Sequence, residues 1–123
     1  MIRVAIALVA GGLLAAPASA SADALSALLK GKTAEAPRRC IFPDRSVQPQ
    51  IIDGTAIVYR DTRYTYVARF KGGCPALRED RRIVTRGTSG QLCENDPVRV
   101  TETTGAGFGI CTFERFTPYR KAR

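Results

Sequence analysis

Four cysteines are the residues of this 123-residue chain best equipped for chemistry, and two of them lie in "FKGGCPALREDRRIVTRGTSGQLCENDPVRV", residues 70–100. Six basic residues, Lys71, Arg78, Arg81, Arg82, Arg86 and Arg99, crowd the same stretch. Four chemistries meet there on paper: a reactive thiol, a metal site, a polyanion-binding loop and a structural disulfide. Spacing decides among the cysteine options. Cys40, Cys74, Cys93 and Cys111 follow one another at separations of 34, 19 and 18 residues. A thioredoxin-type site needs Cys-x-x-Cys, so that a low-pKa thiolate sits beside its resolving partner. Structural zinc shows a close cysteine pair, often with histidine. The sequence has no such pair and no histidine, so neither a metal site nor a cofactor is expected.

Without histidine the commonest general base and nucleophile activator is missing, and Ser-His-Asp triads are excluded. A carboxylate pair, as in glycoside hydrolysis, remains available from Asp44, Asp53, Asp61, Glu79, Asp80, Glu94, Asp96, Glu102 or Glu114. No spacing selects two of them. Glu79 and Asp80 sit inside "REDRR" among arginines, Asp53 and Asp61 fall at turns, and Asp96 precedes Pro97, where a turn or capping role is the default. The glycine-containing "KGGC" and "TGAGFG" match no complete phosphate-binding loop. No catalytic residue is therefore assigned.

The elements that would position these groups begin after the N-terminus. "MIRVAIALVAGGLLAAPASASA", residues 1–22, has a positive start at Arg3, an apolar run from Val4 to Ala16, and small residues before two possible cuts, after Ala20 or Ala22. That is the pattern of a secretory signal peptide. The apolar run is shorter than the ~20 residues that span a bilayer, so the mature chain is expected in the periplasm or secreted, without a transmembrane span. Residues 23–39 read as a short helix, with Ala24, Leu25, Leu28 and Leu29 on one face and an end near Gly31, followed by a linker. The main domain is expected over residues 40–119, with a basic tail at 120–123.

Period-two alternation and turn residues recurring about every ten positions predict an all-β domain of about six short strands. "VQPQII", the turn dipeptide Asp53-Gly54 and "TAIVYR" read as a hairpin. In "RYTYVARF", Tyr64, Tyr66, Ala68 and Phe70 share the inward face, opposite Arg63, Thr65, Val67 and Arg69. "RRIVTR", "PVRVTETT" and "FGICTFERF" follow, and Cys74–Leu77 reads as a single helical turn. A small antiparallel barrel or two-layer sheet removes exposed edges most economically.

A domain of this size, with nine aromatics and no tryptophan, needs covalent help. Four cysteines in an exported chain imply two disulfides, for which three connectivities exist. Cys74 with Cys93, closing a loop around "RRIVTR", and Cys40 with Cys111, tying first strand to last, is the favoured pairing. Loops of that length are worth roughly 3 to 4.5 kcal/mol each.

The sequence is basic, with a formal charge of +8; without Arg3, residues 21–123 carry 18 basic against 11 acidic residues. Arginine outnumbers lysine 15 to 4, and its planar fork suits phosphate and carboxylate. Arg63, Arg69, Arg78, Arg81, Arg82 and Arg86 form the candidate binding surface for an anionic envelope glycan, a lipid head group or an envelope protein. "YRDTRYTYVARFK" imitates a base-stacking platform, but strand phase puts its aromatics opposite Arg63 and Arg69, and export removes nucleic acid as a partner.

The order Cys40, "IIDGTAIVYR", Cys74-Pro75-x-Leu77, Leu92-Cys93-x-x-Asp96, then Cys111 with Phe113 and Pro118 resembles a domain-of-unknown-function family of small exported proteobacterial proteins with four cysteines. The resemblance covers residues 40–118 and implies a secreted disulfide-stapled domain with no assigned activity. The expected function is thus a noncatalytic envelope module that binds anionic components. The alternatives are a periplasmic enzyme using a carboxylate pair and a protein inhibitor of the lysozyme-inhibitor kind; net positive charge opposes the latter against cationic lysozymes.

Overall fold

The computed structural model describes residues 5, 11, 12, 20–86 and 90–123. Most of the expected signal peptide, and residues 87–89 of the "GTSG" connection, lie outside the described residues. Among the described residues one helix, α1 (Ala20–Leu29), precedes nine strands: β1 (Lys32–Ala34), β2 (Cys40–Ile41), β3 (Gln50–Ile52), β4 (Ala56–Arg60), β5 (Thr65–Phe70), β6 (Arg82–Thr85), β7 (Leu92–Cys93), β8 (Pro97–Thr101) and β9 (Gly107–Lys121). All pairings are antiparallel. The main sheet runs β3-β4-β5-β9-β8-β6 and curls into a half-barrel, with β1 also on β9. β2 and β7 form a separate two-stranded ribbon.

The six strands legible in the sequence form that main order. Asp53-Gly54 turns β3 into β4 as expected, with Gly54 at φ +63° and the Thr55 amide donating to the Ile52 carbonyl at 2.9 Å. Cys74–Leu77 is a single reverse turn closed by the Leu77 amide on the Cys74 carbonyl at 3.0 Å, without the helical turn expected. The sheet also extends past both ends of the 40–119 segment: Lys32, Thr33 and Ala34 pair with Lys121, Arg120 and Tyr119. Part of the expected linker and part of the expected tail are thus partners in one ladder.

Strand alternation divides the apolar residues between two cores. Ile57, Tyr59, Tyr66, Ala68 and Phe70 point into the curl with Leu77, Val98, Val100, Phe113 and Phe116. The opposite phase, Ile52, Ala56, Val58 and Val67, lies under Leu25, Leu28 and Leu29 of α1. Ala24, expected on the same helical face, is exposed. Phe113 and Phe116 differ by an odd number of residues, so an unbroken strand would send one of them outward. A β-bulge at Glu114-Arg115 resolves the conflict: Phe70 pairs with Phe113 and Ala68 with Phe116, leaving two residues of β9 against Arg69.

Both disulfides are present, but not in the favoured pairing. Cys40 bonds Cys93, and Cys74 bonds Cys111. The physical reason is strand adjacency, which loop length does not encode. Cys40 and Cys93 are direct register partners in the β2–β7 ribbon. β5 runs beside β9 with Phe70 opposite Phe113, and the Lys71 amide continues that ladder to the Thr112 carbonyl at 2.9 Å, so Cys74 arrives at Cys111.

Candidate functional site

The β6–β8–β9 half of the sheet carries the candidate site on its outer face. Register places Val84, Arg99 and Ile110 in one cross-strand row, and Arg82 lies opposite Thr101 in the next. Directly opposed residues of an antiparallel pair point to the same side. Since Val98, Val100 and Cys111 point inward and are buried, Arg99 and Ile110 must point outward. Val84 is 45% exposed and Ile110 65%. Arg82, Arg86 and Arg99 border a cleft of about 390 Å³ with these two aliphatics, and no carboxylate lines it. Thr101, also in its lining, has a buried hydroxyl with no hydrogen-bond partner among the described residues.

A second, larger cleft of about 580 Å³ lies where the half-barrel fails to close. It is lined from one edge strand by Gln50 and Ile51 of β3, from the other by Arg82, Ile83 and Thr85 of β6, and just before β6 by Glu79, Asp80 and Arg81. Tyr59 lines it too; the residue is 4% exposed, and its hydroxyl has no hydrogen-bond partner among the described residues. Burial without a partner pushes the Tyr59 phenol above its ordinary value of 10.0.

The six arginines singled out from sequence do not form one surface. Arg82 and Arg86 join the 390 Å³ cleft, while Arg81 lines the seam and not that cleft. Arg81 is held there: it donates to the Ala76 carbonyl at 2.6 Å, and its guanidinium lies 3.7 Å from the centroid of Phe108. Arg63 is exposed in the β4–β5 turn, Arg69 is exposed opposite the bulge, and Arg78 is exposed before β6; none of the three lines either cleft. Arg99, Ile110 and Tyr59 were missed as site residues. The signal for the first two was present in strand phase, because Arg99 alternates with Val98 and Val100, and Ile110 adjoins Cys111.

Several candidate carboxylates have structural work. Asp44 accepts from the amide and hydroxyl of Ser46, and those bonds hold its carboxyl below the ordinary 3.8. Asp53 receives the Glu79 amide at 2.7 Å, fastening the hairpin tip to the 74–80 connection. Asp96 accepts from the Cys93 amide at 2.8 Å. Glu94 collects Arg115 at 3.3 Å, Arg39 at 3.7 Å and Lys71 at 3.8 Å around the β2–β7 ribbon. Asp61 organises the β4–β5 turn: the Tyr66 hydroxyl reaches it at 2.6 Å, and the Tyr64 and Arg63 amides at 2.7 and 2.8 Å. Burial works to raise the Asp61 carboxyl, but these three donors and the Arg38 charge outweigh it and hold the group below 3.8.

Among the described residues no group of three or more Asp, Glu, His or Cys is arranged to hold a metal, and no helix is long and apolar enough to cross a membrane. No family model, curated protein or solved structure matches the chain.

Proposed function

We propose that the chain is an exported, noncatalytic envelope module whose β6–β8–β9 face binds anionic lipid head groups at a membrane surface. The observation that carries this reading is the row of Arg82, Arg86 and Arg99 around exposed Val84 and Ile110 with no carboxylate in the lining. Arginine forks match phosphate oxygens bidentately. Aliphatic side chains between them enter the boundary between head groups and acyl chains, which a purely polar glycan does not reward. The unpartnered Thr101 hydroxyl supplies one further donor for a phosphate oxygen. Export is supported by the tripartite N-terminal pattern and by two disulfides, which persist in oxidising compartments.

Vesicles of phosphatidylcholine with and without phosphatidylglycerol test it by co-sedimentation. Binding is expected only with the anionic lipid and should fade as salt rises, because exposed charges are screened over ~10 Å at 0.1 M. Each basic residue near such a surface is worth about 1 kcal/mol, so Arg99→Gln should weaken binding about fivefold. Ile110→Ser should weaken it as well, and Arg63→Glu should not. Equal binding to neutral vesicles, or capture by soluble anionic glycan with no contribution from Ile110, overturns the lipid reading.

A further inference from the structure

We infer that the open seam of the half-barrel is a docking slot for an extended peptide from another protein, which adds as a strand between β3 and β6. This inference does not rest on the lipid reading. Among the described residues, β3 and β6 each have a hydrogen-bonded neighbour on one side only, β4 and β8 respectively. Each therefore presents a row of unpaired backbone donors and acceptors along its other side. Both edges line the same cleft of about 580 Å³. A four-residue extended segment, at ~3.3 Å per residue, ~4.8 Å between strands and ~10 Å between layers, fills roughly 600 Å³. The cleft thus has the size of one short strand.

The side chains along the slot describe the occupant. On the inner side Ile51 and Ile83 pack against the main core, and Thr85 shares the phase of Ile83. Inward-pointing residues of the peptide must accordingly be small and apolar or hydroxyl-bearing. The Tyr59 phenol beneath them lacks an acceptor, which a peptide carbonyl or hydroxyl oxygen would supply. On the outer side β6 and the residue after it show Arg82, Val84 and Arg86, so outward-pointing residues beside them should be acidic, while Glu79 and Asp80, which line the slot just before β6, disfavour acidic residues at that end. Strand addition uses this division of labour, with main-chain bonds giving affinity and alternate side chains giving specificity.

The probe is an end-capped octapeptide alternating glutamate with valine and threonine, titrated into the disulfide-intact protein and followed by amide chemical shifts. Shifts and exchange protection are expected along both Gln50–Ile52 and Arg82–Thr85. The same peptide N-methylated at alternate residues should bind at least about tenfold more weakly, since main-chain donors are lost. Tyr59→Phe should bind the unmethylated peptide about three- to tenfold more weakly while melting higher than the parent, because a hydroxyl unpartnered in the free protein is gone. Several outcomes overturn the inference: no binding, equal binding of the methylated peptide, shifts confined to the Arg82–Arg86–Arg99 face, or self-association through these edges without peptide. Vesicle binding is read separately, so either proposal can fail alone.

Discussion

On the β3–β4–β5 side of the sheet, outward-facing Ile52, Ala56, Val58 and Val67 lie under α1 and are at most 3% exposed; on the β6–β8–β9 side, Val84 and Ile110 face outward without a cover among the described residues. Strand alternation is the same in both halves, and both bury their inward set in the main core. The difference lies in what the outward set is made of. Under the helix it is aliphatic throughout, so it becomes a second core. Beyond β9 it mixes two aliphatics with three arginines, a composition that cannot be buried without stranding charge. Fold stability accounts for the outward aliphatic residues of the first half and leaves those of the second to contact with something else.

The largest test of this division concerns the bond that joins the halves. Cys74 leaves the end of β5 and meets Cys111 on the part of β9 that pairs with β8, whereas Cys40 and Cys93 staple only the β2–β7 ribbon. Loop entropy alone makes the two bonds nearly equal, at about 4 kcal/mol each. Cys74 and Cys111 are also buried in the main core, so replacing both by alanine leaves a cavity as well. Urea unfolding should show Cys74→Ala/Cys111→Ala losing about 1 kcal/mol or more beyond Cys40→Ala/Cys93→Ala. Equal losses would mean that chain entropy alone governs both bonds.

That bond also marks the limit of sequence reading. Alternation located the six main strands and their inward faces, because side-chain period is a local property that each segment carries alone. Neighbour relations across the sheet are not local. β5 pairs with β9 across more than forty intervening residues, and without that adjacency Cys74 had no visible reason to meet Cys111. β1, β2 and β7 were invisible for a related reason: strands of two or three residues are too short to show a period, and they lack the Asp53-Gly54 turn signal that revealed the equally short β3. Arg82 and Arg86 were legible as basic positions of the candidate surface, but their separation from Arg63, Arg69 and Arg78 depends on the curl of the sheet. The seam and its Tyr59 hydroxyl exist only because the barrel does not close.

Single substitutions separate the outer faces directly. Leu25 is the buried anchor of α1 over Ile52, Ala56, Val58 and Val67. Leu25→Ala should cost about 2 to 4 kcal/mol in urea unfolding, as for other buried leucines. Ile110→Ser, on the bare face, should change stability by no more than about 0.5 kcal/mol. A large loss from Ile110→Ser would show that this face has a structural cover after all, and would remove the basis for reading it as a contact surface.

The smallest expected difference is in pH response, and it too divides the halves. The β4–β5 turn holds Asp61 below 3.8, while burial, then the hydrogen bond to Asp61, push Tyr66 up to about 12. The Asp61 contribution to stability is therefore complete above the unfolded-state value near 3.8 and lost as pH falls through its lower folded value. The Tyr66 contribution is complete below 10.0 and lost as pH rises toward about 12, with buried Tyr59 acting in the same direction. Asp61→Asn should flatten the acid limb of the melting temperature between pH 2 and 5, a window of roughly the carboxylate range. Tyr66→Phe should flatten part of the alkaline limb and, by removing the 2.6 Å donor that helps hold Asp61 below 3.8, flatten part of the acid limb as well. The cleft on the bare face is lined by no carboxylate and no tyrosine. Vesicle binding by the bare face should consequently hold constant from about pH 5 to 9, a range clear of both limbs. A binding curve that follows the stability curve instead would place the charge-sensitive contact in the β4–β5 turn, beside Arg38 and Arg63, and away from β6–β8–β9.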